Sequence, residues 1–119
     1  DTSSFLREIR RVLKKNGQLI ISTPNIACLS NRIRLLLGKN IPSLEVDLEA
    51  GSSGHIRYFT KNSLRKLLEK NGFFVTAIES DVIVFPLIGR LTKKVFYSSK
   101  LAKLFRRIGK TLIFVGIKN

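Results

Sequence analysis

Methionine is absent from these 119 residues, and cysteine and histidine occur once each, as Cys28 and His55. A single cysteine excludes an internal disulfide and a cysteine-based zinc site. With a single histidine, no nucleophile–base pair can be read along the chain. Acidic residues are scarce: none lies between Glu8 and Glu45, and none follows Asp81. Long apolar runs are missing too. The longest, Val82–Ile88 and Leu112–Ile117, fall far short of the roughly 20 residues that span a bilayer. The chain is therefore not expected to cross a membrane. A reduced, cytoplasmic setting is expected, since no signal peptide is visible. The lack of methionine, with a helical pattern beginning almost at Asp1, suggests a piece of something larger.

What is present is apolar and basic. Hydrophobic residues make up 44% of the chain, which favours a folded domain over a disordered one. The formal net charge is +14. Such a field favours anionic partners: nucleic acid, anionic lipid or a phosphorylated substrate. A lysine-rich proteome, or a half-domain whose other half is acidic, would give the same charge.

The stretch Arg11–Asn25 organises the chain. It predicts the last turn of a helix, with Lys14 and Lys15 complementing the dipole, and a left-handed stop at Asn16-Gly17. A strand over Gln18–Thr23 follows. Leu19, Ile20 and Ile21 run on without a polar break, as in a strand covered on both faces. Ser22-Thr23-Pro24-Asn25 ends it in polar side chains. Upstream, Phe5, Leu6, Ile9, Val12 and Leu13 share one helical face, capped by Asp1, Thr2, Ser3 or Ser4. Downstream, Ile26–Gly38 predicts a second helix with Ile26, Leu29, Ile33, Leu36 and Leu37 on its apolar side. Residues 39–54 hold Pro42, Gly51, Ser52, Ser53 and Gly54, and predict a mobile loop or lid. Thr60 caps a third helix carrying Leu64, Leu67 and Leu68, which Asn71-Gly72 closes. Phe73–Ser80 reads as a strand with Phe73, Val75 and Ile78 inward. Val82–Ile88 is an extended or edge segment broken by Pro86. Leu91–Tyr97 and Lys100–Ile108 are short helix candidates, and Thr111–Ile117 is a β-branched strand. The Lys100–Lys110 segment suits either an anionic lipid surface or packing on the sheet, and packing is expected because a strand follows at once.

Phe5–Lys14 followed by Asn16–Asn25 resembles the helix D–strand 5 segment of class I S-adenosylmethionine-dependent methyltransferases. That family commonly carries "RVLKPGG" before the strand; Lys15 and Asn16 stand here in place of its Pro and first Gly. Gly54-His55-Ile56-Arg57-Tyr58-Phe59-Thr60 is a second point of similarity. Leu64–Phe73 with the strand after it resembles helix E and strand 6, and Thr111–Ile117 matches the final antiparallel strand 7. The resemblance implies an α/β fold: residues 1–119 would be a single partial domain, the C-terminal half of a Rossmann-like methyltransferase sheet. Its strands would run in the order 5-7-6, the last antiparallel, with helices on both sides. It implies methyl transfer from S-adenosylmethionine to an unidentified acceptor, with this chain on the substrate side and inactive alone. The family's glycine-rich cofactor loop and ribose-binding acid follow earlier strands, so no cofactor contact is assigned here.

Four residues are singled out. Asn25 sits at the carboxyl end of its strand, where open α/β sheets bind ligands; a turn after Pro24 would use the same residue. His55 is the candidate catalytic base, since imidazole exchanges protons near neutral pH. Arg57 and Tyr58 beside it would suit an anionic or aromatic small-molecule substrate. The competing use of His55 is to fix the entry to the Thr60 helix. Cys28 reads as a small buried apolar residue. Glu45, Asp47 and Glu49 alternate without His or Cys, as in a solvated loop, so no metal site is assigned. Gly51-Ser52-Ser53-Gly54 lacks the strand and lysine of a phosphate loop. The rival function is a non-catalytic basic module for weak contact with RNA or an anionic membrane surface, although two tyrosines make a poor stacking platform. An unpaired edge on the Gln18–Thr23 strand would favour a homodimer.

Overall fold

The computed structural model describes residues 1–41, 57–85 and 96–119. Its elements are α1 (Thr2–Val12), β1 (Gln18–Pro24), α2 (Leu29–Leu36), α3 (Lys61–Lys70), β2 (Phe73–Ser80), β3 (Ile83–Phe85), β4 (Phe96–Ser98), α4 (Ser99–Leu104) and β5 (Thr111–Lys118). The fold is mixed α/β. β5, last in the chain, lies between β1 and β2 and runs antiparallel to both, as the sequence predicts for its three long strands. β1 and β2 therefore point the same way, and their carboxyl ends meet the start of β5.

One face of this sheet carries the core. Leu6 of α1, Leu64 and Leu68 of α3, Phe73 and Ile78 of β2, and Leu112 and Phe114 of β5 form one buried cluster. Leu19, Ile21, Phe59 and Val75 pack against it. A strict two-residue alternation cannot put Phe73, Val75 and Ile78 on one face. The register of β2 against β5 shifts between Val75 and Ala77, and that bulge returns Ile78 to the core side.

Several expectations are corrected. β1 is not buried on both faces: its burial alternates, and Ile20 is 68% exposed, beside a 61% exposed Phe74 on the same side. That face has no helix covering Ile20 or Phe74 among the described residues. α1 stops at Val12, so Lys14 and Lys15 lie in a separate turn closed by Gly17 N–H donating to Lys14 O at 2.9 Å. Among the possible caps Asp1 takes the role, its Oδ1 accepting from Ser3 N–H at 3.1 Å. α2 is shorter than predicted and buries none of its residues fully; Leu36 is 86% exposed. Phe96 and Tyr97, expected in a helix, instead pair as β4 with β3. α4 ends at Leu104, and Leu104 and Phe105 are exposed rather than packed on the sheet, Ala102 being the buried residue of that helix. The predicted loop from 42 onward, including His55, and residues 86–95 lie outside the described residues. No helix among the described residues is long and apolar enough to cross a membrane.

Candidate functional site

Three chain segments converge at the carboxyl end of β1. Asn25 forms a parallel bridge with Phe59, and Ile26 N–H donates to Phe59 O at 3.1 Å. The stretch that holds Arg57 and Tyr58 is thus brought beside Asn25. Arg57 is exposed and Tyr58 half-buried. Thr60 then turns the chain into α3, its hydroxyl accepting from Ser63 N–H at 3.2 Å while the Ser63 hydroxyl accepts from Thr60 N–H at 2.9 Å. This capping box fixes where α3 begins.

The third segment is the turn before β5. Asn25 reaches it with its side chain, which is 2% exposed. Its Nδ2 donates to Arg107 O and to Gly109 O, both at 2.9 Å, and its Oδ1 accepts from Ala27 N–H at 3.0 Å. Both amide hydrogens and one oxygen lone pair are engaged inside the protein. The Asn25 side chain, expected at the substrate, is thus engaged with protein groups. It binds the start of the β1–α2 loop to the 107–110 turn, helped by Asn25 N–H on Lys110 O at 2.8 Å and Leu29 N–H on Ile108 O at 2.9 Å. Gly109 is needed at this turn: a Cβ there would fall 1.8 Å from Ser80 Oγ.

Asp81, at the carboxyl end of β2, makes the matching tie on the other side. Its Oδ1 accepts from Val82 N–H at 2.6 Å and Thr111 N–H at 2.8 Å. Burial pushes its carboxyl up, but the hydrogen bonds from Thr111 and Val82 outweigh this and hold it below the ordinary 3.8.

These ties frame a basic cleft. Two open hollows of about 410 and about 220 Å3 share Arg32, Lys61 and Arg107 in their walls. Leu104, Phe105, Arg106 and Ile108 complete the larger, and Ala27, Thr60 and Asn62 the smaller. Burial lowers the Lys61 ammonium from its ordinary 10.5, and Arg107, Arg65 and Arg106 push it the same way. Arg106 meets Glu79 at 3.3 Å. Among the described residues no carboxylate pairs with Arg32, Lys61, Arg65 or Arg107. The sequence reading missed these residues as a site. The available signal was Lys61 and Arg65 four apart on one helix, with Arg106-Arg107 in the segment that leads into the last strand. A further hollow of about 420 Å3 lies at the opposite end of the sheet, by Arg10 and Gly72, and shares no residue with the cleft.

The methyltransferase-domain family matches residues 1–78, about two thirds of the chain, including α1, β1, α3 and most of β2. The chain belongs to that family. This methyltransferase-family chain also superposes on a solved structure from Thermotoga maritima described as a "SAM-dependent methyltransferase, possible histamine N-methyltransferase". The TM-score is 0.56 at 20% identity, over 100% of this chain and 49% of that one. The likeness is one of fold, and the chain spans about half the length of that structure. No curated protein matches it.

S-adenosylmethionine, which the family implies, carries a sulfonium cation, and its adenosine ribose is usually held by an acid. The described residues do not fit it. Of the two acids at the carboxyl end, Glu79 pairs with Arg106 and Asp81 is held by backbone amides. The cleft walls are cationic and would repel a sulfonium. Among the described residues no group of three or more His, Cys, Asp or Glu could hold a metal ion.

Proposed function

We propose that the protein works as an S-adenosylmethionine-dependent methyltransferase in which these residues form the acceptor side of the site. The observation that carries the reading is the bridge between Asn25 and Phe59. It sets the Arg57–Thr60 stretch against the carboxyl end of β1, where α/β sheets hold their ligands. The family's chemistry rests largely on holding donor and acceptor in line, so walls that orient an acceptor are a catalytic contribution. His55 is proposed as the base on its position in the sequence, two residues before Arg57. Arg57 and Tyr58 are proposed to face the acceptor. The donor side is proposed to come from the rest of such a domain, as this chain spans about half of the matched structure, and the chain alone is proposed to be inactive. A cytoplasmic setting, suggested by the lone Cys28, is part of the same proposal. So is self-association through the outer edge of β1, which pairs only with β5 among the named strands of the described residues.

Calorimetry with S-adenosylmethionine tests this on two proteins: the 119-residue chain, and the chain joined to the N-terminal half of a family member's domain. The first is expected to bind no cofactor and the second to bind it. Binding by the short chain would overturn the acceptor-side assignment. In the joined protein, His55→Ala is expected to lower turnover while leaving cofactor affinity unchanged. An unchanged turnover would remove His55 from the mechanism.

A further inference from the structure

Like charges are seldom gathered without a reason, because each raises the cost of charging the next. The cleft at the carboxyl end of β1 gathers five. Arg32, Lys61 and Arg107 stand in the walls of both hollows, Arg106 in the larger, and Arg65 acts on Lys61 from the next turn of α3. Among the described residues one of the five, Arg106, has a carboxylate partner. The side chain of Arg107 makes no hydrogen bond within the described residues; its backbone oxygen is what Asn25 holds. Arg32 spends its Nε on Ala27 O, which fixes the guanidinium at the cleft wall. Lys61 is half-buried, and burial and the neighbouring arginines disfavour its charge. The larger hollow is also lined by the apolar Leu104, Phe105 and Ile108. Leu104 is 73% and Phe105 51% exposed.

We propose that this cleft binds a phosphate group attached to an apolar or aromatic body, with Lys61, Arg107 and Arg32 on the phosphate and Leu104 and Phe105 on the body. Guanidinium groups offer paired donors to phosphate oxygens and lysine supplies a compact charge, which is the division of labour phosphate sites use. A doubly charged phosphate would relieve the mutual repulsion of these cations. The site does not depend on methyl transfer. With the methyltransferase reading, its ligand is the acceptor; without that reading, the phosphate site stands by itself. The chemistry fits both a soluble phosphomonoester and the headgroup of an anionic lipid.

The test uses the 119-residue chain at fixed ionic strength, since diffuse surface charge is screened by salt. Phenyl phosphate and inorganic phosphate are titrated by calorimetry, and vesicles of phosphatidylglycerol in phosphatidylcholine by co-sedimentation. Phenyl phosphate is expected to bind saturably and more tightly than inorganic phosphate. Lys61→Gln and Arg107→Gln are each expected to weaken it about tenfold, the loss of roughly one charge-assisted contact. Lys15→Gln, a cation in the turn before β1, is expected to leave it unchanged. Lys61→Gln is also expected to raise the melting temperature of the ligand-free chain, because it removes a destabilised charge; this separates lost binding from lost folding. If the source is lipid, vesicle binding falls with the same two variants and phenyl phosphate competes for it. If the source is soluble, vesicles leave phenyl phosphate binding intact. No saturable binding of either probe, or an equal loss with Lys15→Gln, would overturn the proposal.

Discussion

The covered face of the sheet and its carboxyl end are held by different physics. On the face, Leu6, Leu64, Leu68, Phe73 and Phe114 leave water almost completely, and their burial is non-directional and tolerant of chemistry. At the carboxyl end the central residues are polar. Asn25 and Asp81 each hold backbone groups from other segments, and their bonds are directional. The face keeps the three strands together. The end keeps the loops in place and leaves cations open to solvent beside them. A substitution on the face should therefore cost stability without altering ligand contacts, whereas one at the end should disturb the cleft at a smaller cost in stability.

Phe114→Ala is expected to have the largest effect, about 3–5 kcal/mol, because the ring is fully buried between α1, α3 and β2. Urea denaturation would measure it, and a loss under about 1 kcal/mol would mean that the face is not the main source of stability. Asn25→Ala comes next. It strands Arg107 O, Gly109 O and Ala27 N–H, for about 2–4 kcal/mol if each buried group costs roughly 1–3 and the turn relaxes. Amide exchange should speed up around residues 107–110 more than in α3; equal changes in both would blur the distinction between end and face. Asp81→Asn should cost about 1–2 kcal/mol at neutral pH, the difference between charged and neutral acceptors. The folded-state carboxyl lies below the ordinary 3.8, so its stabilisation is complete above that pH and is lost as pH falls through the folded value. The native and Asp81→Asn stability curves should therefore converge in acid, and a gap that stays constant to low pH would contradict the assignment. Thr60→Ala removes the α3 cap for about 1 kcal/mol. Ile20→Lys, on the exposed face, should change stability by less than about 0.5 kcal/mol while abolishing any self-association seen by sedimentation. A larger loss would show that this face is already covered.

The three long strands were legible because their apolar runs and the Asn-Gly stops bracket them. The two Asn-Gly pairs show how far such a signal goes. At Asn71-Gly72 the helix ends at Asn71 and Gly72 takes a φ of 81°. At Asn16-Gly17 the helix has ended earlier, and Asn16 itself takes the left-handed conformation, with φ 61°. The dipeptide marks a reversal in both places but does not say which residue turns. Periodicity misled over Leu36, Leu37, Leu104 and Phe105, where apolar side chains at helical spacing remain exposed. Spacing reports that a face exists and says nothing about whether another element reaches it. The two segments that meet at Asn25 and Phe59 were each noticed through the family resemblance, but their meeting is seen only in the structure. The cleft was not, because Arg32, Lys61 and Arg107 are brought together by the crossing of three segments and share no local pattern. Asn25 was noticed for its position, whereas only the geometry shows that its amide is turned inward.

The central place of β5 has a consequence for how the chain reaches this structure. β1 and β2 pair with β5 and with no other long strand among the described residues. Until Thr111–Lys118 exists, the two earlier strands have nothing between them, however well formed α1 and α3 already are. Gln18 must find Ile117 across nearly the whole chain, a separation whose loop-closure entropy makes folding slow. During synthesis the N-terminal segments therefore wait on the ribosome with apolar strands uncovered. A chain stopped just before Thr111 should not be a slightly weaker version of this fold. It should be a collapsed, aggregation-prone intermediate without the three-stranded sheet, because the strand made after β1 and β2 is the one around which they assemble.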